Sequence, residues 1–160
     1  MRLSNRMLMG MVAGAVGTTM LNVVTYLDMA MRGRPPSEVP EKVVDELSNK
    51  LDLSLEETGD DEVASNRRSA LGALMGFVSG MAWGSIYGVV HPSVGKVPPA
   101  VRSAGLGMAV MAGNDAPAIA MRATDPTEWG VTGWISDITP HMIYGVATVA
   151  AYERLETARR

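Results

Sequence analysis

Asp137 and His141 stand one helical turn apart in a stretch that is otherwise nearly free of charge. They belong to a longer line, because Trp134, Asp137, His141, Tyr144 and Thr148 follow one another at spacings of 3, 4, 3 and 4. That rhythm is one continuous face of an α-helix. A carboxylate beside an imidazole favours the charged ring, so the pair has the residue types of a proton carrier. Asn114 and Asp115 supply a second polar pair inside an apolar run, and Thr18, Asn22, Thr25 and Tyr26 supply a third group. Three chemistries fit Asp115, Asp137 and His141, with Asn114 and Tyr144 as further members of the candidate site. The residues can glue helices together through satisfied hydrogen bonds. They can bind or relay a proton or cation. The same nitrogen and oxygen set can ligate a divalent metal, although no metal or other cofactor is expected from any motif. Asp28 has a simpler reading, an i,i+4 ion pair with Arg32 at the end of a helix.

Those residues need elements to hold them, and the charge distribution shows where the elements lie. Residues 7–24 and 69–90 carry no charge, whereas residues 32–68 hold 16 of the 31 charged residues. A soluble domain spreads charge over all its surface elements; here it is gathered into blocks. The pattern predicts an all-α integral membrane bundle forming a single domain over 1–160. Its four transmembrane helices fall at about 7–31, 69–91, 99–122 and 133–156, each near the ~20 residues that cross a bilayer core. The first is read as an uncleaved helix. Arg32-Gly33-Arg34-Pro35-Pro36 breaks it, and His91-Pro92 ends the second span, with His91 as a cap. Val39, Val43, Leu47 and Leu51 recur every four residues among charges. They predict an amphipathic loop helix at about 37–53, lying on the membrane surface or capping the bundle. Ser54 to Glu57 matches a capping box, and an acidic turn runs from Thr58 to Glu62. Trp129 and Trp134 belong at a membrane interface.

The second span holds the most regular pattern. Gly72, Gly76, Gly80, Gly84 and Gly88 recur every four residues, forming a nearly straight bare groove along one side of the helix. In water each interior glycine costs a helix ~1 kcal/mol relative to alanine. In lipid the groove lets another backbone approach closely. This glycine zipper predicts tight helix–helix packing, with the partner helix in the same chain or in another copy. The 13 methionines fill irregular gaps between helices.

Several classes are disfavoured. The net charge of −3 gives no reason to expect nucleic acid as a partner. The absence of cysteine removes disulfides, thiolate zinc sites and cysteine nucleophiles. No phosphate-cradling loop, serine-nucleophile elbow or zinc-protease motif is present. Ser136 lies ~100° around the helix from Asp137, which argues against a nucleophile–base pair. The chain is therefore read as a non-enzyme.

Thr25-Tyr26-Leu27-Asp28-Met29 followed by Arg32-Gly33-Arg34-Pro35, and Thr124-Asp125-Pro126 with Trp134, Asp137, Pro140-His141 and Tyr144-Gly145, resemble an uncharacterised family of small four-helix actinobacterial membrane proteins. The resemblance implies a bacterial cell (inner) membrane location and carries over no catalytic residues. The 14 Lys and Arg divide seven to each side of a four-span layout; the expectation is cytoplasmic termini. The expected partners are the lipid bilayer and a second copy of the chain, as a homo-oligomer, or another membrane protein. The leading functional expectation is a scaffold or accessory subunit acting through glycine-mediated packing. The alternative is a small channel or proton- or cation-coupled transporter using the Asp/His cluster.

Overall fold

The computed structural model describes residues 2–53 and 61–159. Among them the chain is all-α, with no strand. Five α-helices follow in order: α1 Leu3–Arg32, α2 Val39–Lys50, α3 Asp61–Val94, α4 Pro99–Ala120 and α5 Gly130–Thr157. A short 3₁₀ helix, Pro126–Glu128, precedes α5. The capping box expected at 54–57 lies outside the described residues, as does most of the acidic turn. Asp61 and Glu62 already form the first turn of α3.

Helix ends follow local chemistry. α1 stops where Gly33 takes φ 64°, a left-handed cap conformation open to glycine, and its N–H donates to the Met29 carbonyl. α3 runs three residues past the expected end, through Pro92 to Val94. His91 is therefore an interior helical residue and not a cap. Proline lacks the N–H that would close onto the carbonyl four residues back, here Gly88. The Tyr152 hydroxyl donates to that same carbonyl at 3.3 Å, so a side chain from α5 replaces the missing partner.

α1 occupies the centre, packing along both α3 and α5, while α4 packs chiefly on α5. α1 and α3 run antiparallel with glycine against glycine. A Cβ at Gly84 would collide with the backbone of Gly10 and Gly14, one at Gly14 with the Gly80 carbonyl, and one at Gly88 with the Arg6 carbonyl. The groove from Gly80 to Gly88 is thus filled by the chain's own first helix. Gly72 faces Pro40 of α2, and Gly76 faces open space. α2 lies across the start of α3, with Val44 buried and an Arg68–Asp45 ion pair at 2.6 Å holding its charged side.

Two helices, α1 and α3, are long and apolar enough to cross a membrane, with mean hydropathy of 1.6 and 1.4 over their most apolar stretches. Two of the four expected spans therefore meet the length and composition of a membrane-crossing helix. α4 and α5 are long enough, but their polar residues and many small residues lower their hydropathy. Only 33% and 28% of the two apolar stretches is buried inside the chain. Their outward faces, with Leu8, Val12, Leu74 and Val78, remain uncovered by protein.

Candidate functional site

The polar line on α5 divides between two environments. Its lower half, Tyr144 and Thr148, enters the dry seam with α1 and α3. Tyr144 is 1% exposed, and its hydroxyl donates to the Gly80 carbonyl at 2.6 Å. Thr148 is fully buried against Gly17. Tyr144 is thus a structural bridge and does not line the cavity. Trp134, at the other end, is 40% exposed and stacks at a tilt on Trp129, with ring centroids 5.0 Å apart.

The remaining members, Asp137 and His141, line a cavity of about 580 Å³ together with Asn114 and Asp115 of α4. Ser79 of α3, Thr25 of α1, and Thr132 and Ser136 of α5 add to its polar lining, and Val39, Pro40 and Val43 of α2 roof it. The structure therefore gathers four of the five candidate site residues, from two helices, around one space. From the third predicted group, Thr25 reaches the cavity. Thr18 instead bonds back to the Gly14 carbonyl at 2.9 Å, and Tyr26 is 62% exposed.

His141 is held by its own helix. Nδ1 lies 2.8 Å from the Asp137 carbonyl oxygen and 3.3 Å from Asp137 Oδ1. A carbonyl oxygen can only accept, so Nδ1 carries the hydrogen and Nε2 is left as the acceptor of the neutral ring. Asp115 lies close enough to interact with both the Asp137 carboxyl and the His141 ring. Asp137 Oδ2 is buried without a hydrogen-bond partner. Two carboxylates side by side repel, and a proton or cation shared between them removes that repulsion. Asn114 Oδ1 accepts from the Ser79 hydroxyl at 2.7 Å, one of the few links between α3 and α4. Among the described residues, no group of three or more His, Cys, Asp or Glu is arranged to hold a metal ion.

Two polar clusters go beyond the sequence reading. At the cavity rim, Asp28 pairs with Arg32 as expected, and also with Arg34 at 2.6 Å; Arg32 further reaches Ser136 of α5. At the far end of the bundle, the Arg102 side chain is 7% exposed and pairs with Glu153 at 2.6 Å. Arg102 Nη1 also donates to the Tyr87 hydroxyl at 3.3 Å and lies 3.2 Å from His91 Nε2. Tyr87, His91 and Tyr152 stack beside it. Arg102 sits alone near the start of its helix in the sequence, where nothing in spacing links it to residues 50 positions away.

Compared with known protein families, curated proteins and solved structures, the chain finds no match.

Proposed function

We propose that the protein is a four-span membrane protein that binds and relays a proton or small cation through Asp115, Asp137 and His141. Supporting the membrane reading, α4 and α5 lie beside the two apolar helices and turn apolar residues outward, among them Val101, Met108, Ile135 and Val146. Ser103, His141, Tyr144 and Thr148 turn toward the bundle interior. Such a distribution suits lipid on the outside and water or ligand within. In this reading α2 covers one end of the bundle, and the bundle lies in a bacterial cell membrane.

The observation that carries the functional reading is the convergence of two carboxyls and an imidazole on one cavity. With Nδ1 committed to the Asp137 carbonyl, His141 Nε2 is the ring position free to take up and release a proton. Asp115 and Asp137 are its neighbouring acceptors. The scaffold reading drew its support from an open glycine groove. Gly80 to Gly88 are consumed within the chain, so that groove lends no support to a contact with another copy.

The test is proton flux into liposomes carrying the purified full chain, driven by an imposed pH gradient and potential. Wild-type protein dissipates the gradient; Asp137→Asn lowers the rate at least ~10-fold, the scale of losing one relay group, while the protein stays folded. Equal rates for wild type, Asp137→Asn and protein-free liposomes would overturn the proposal.

A further inference from the structure

The cavity is much larger than a proton or a bare ion requires. About 580 Å³ falls within the ~300–1,000 Å³ of pockets that enclose small organic molecules. Its walls are largely apolar, from Leu21, Val39, Val43, Met75, Ala118 and Pro140. Its polar floor is rich in acceptors. Asp115 and Asp137 line it with carboxyl groups, and His141, 9% exposed, has no hydrogen-bond partner for Nε2 among the described residues. Arg34, which lines the space, is bound to Asp28 at 2.6 Å and to the Pro35 carbonyl at 3.2 Å. Asp28 takes up Arg32 as well, so the rim keeps one positive charge, while the floor between α4 and α5 carries the two carboxyls and His141. The side toward the outside is the α3–α4 seam, where the two helices barely touch and where Met75, Gly76 and Asn114 are exposed.

Resting on the relay reading above, we infer that this cavity takes a protonated amine with an apolar body, entering sideways from the membrane between α3 and α4. The ammonium N–H groups meet the acceptors at the floor, which suits a donor-bearing cation and rejects an anion. The apolar part lies against Met75, Leu21 and the underside of α2. Proton and amine then compete for the same carboxyls, which is the chemistry of exchange.

The experiment is a binding titration of the full chain in lipid nanodiscs at pH 7, with no gradient present. The probes are 2-phenylethylamine, its neutral counterpart 2-phenylethanol and the anionic 3-phenylpropionate. The amine is expected to saturate and to bind at least ten-fold more tightly than either counterpart. Asp137→Asn lowers its affinity at least ten-fold. Gly76→Leu does the same by filling the space, and it leaves the packed glycine seam untouched because a Cβ at Gly76 meets nothing. Should Asp137→Asn fail to fold, Gly76→Leu still decides. Equal binding of all three probes, or amine affinity unchanged in the folded variants, overturns the inference. Proton flux without amine binding also overturns it and leaves the relay intact. Amine binding without flux supports it and removes the relay.

Discussion

The two sides of α3 are built on opposite principles. Toward α1, at Gly84 and Gly88, the backbones touch, Gly80 lies against the Thr18 side chain, and two tyrosines of α5 donate to α3 carbonyls. Toward α4 the backbones stand apart, bridged by Ser79–Asn114, by the Trp83 ring against Gly113, and by the Arg102 cluster at the far end. The same residue type serves both sides: Gly84 is needed because a backbone lies against it, whereas Gly76 borders empty space. A dry contact gains from van der Waals proximity; a wet or ligand-filled space needs polar groups and room. The comparison shows how a small bundle can keep a rigid half and still hold a cavity.

Substitutions along the ridge should break this contrast most strongly. Gly84→Leu places a branched side chain against the α1 backbone, which cannot yield as a flexible side chain can. A loss of about 3 kcal/mol is expected, seen as a large fall in unfolding temperature in detergent. Gly76→Leu, two turns away, should shift it little. Similar losses at both positions would remove the distinction between the two sides.

The tyrosine bridges should come next. Tyr152→Phe strips the Gly88 carbonyl of the partner that compensates for Pro92, at a cost of about 1–3 kcal/mol. Tyr144→Phe should cost about 1 kcal/mol, since the Gly80 carbonyl keeps its helical partner. A double-mutant cycle sharpens the point: in a Pro92→Ala background, which restores a backbone N–H, Tyr152→Phe should cost less. Additive losses would show that the hydroxyl does not substitute for the missing N–H.

On the loose side, Ser79→Ala removes a hydrogen bond at the cavity edge and should change stability by about 0.5 kcal/mol or less, measured by the same unfolding assay. The smallest effect lies in the loop before α5. The Thr127 hydroxyl and backbone N–H, donating to Asp125 at 2.7 and 2.9 Å, hold that carboxyl below its usual 3.8. A lowered folded-state value means the contribution is complete above 3.8 and fades as pH falls through the lowered value. Unfolding temperatures of wild type and Asp125→Asn should therefore differ by an amount independent of pH between 5 and 8, with the gap closing only in strong acid.

Much of the architecture was legible because helical rhythm survives in one dimension. Charge-free blocks and Gly33 marked where helices run and stop, and the four-residue recurrence from Val39 to Leu51 marked α2. The Asp137–His141 pair was visible because both residues share one helix face. The expectation that His91-Pro92 ends a helix failed, because a proline's cost depends on whether something distant accepts the orphaned duty. Tyr152 does so, and it lies 64 residues from Gly88.

What the sequence by itself determined is therefore local: helix periodicity, breaks, and the i,i+4 partners Asp28 with Arg32 and Asp137 with His141. Only the tertiary structure decided that the glycine groove closes on α1 of the same chain, that Tyr144 leaves the polar line for the dry seam, and that Asp115 joins Asp137 and His141. The physical reason is that close packing and charge pairing depend on distance in space. A helix face specifies what can be met, and the crossing of helices selects what is met.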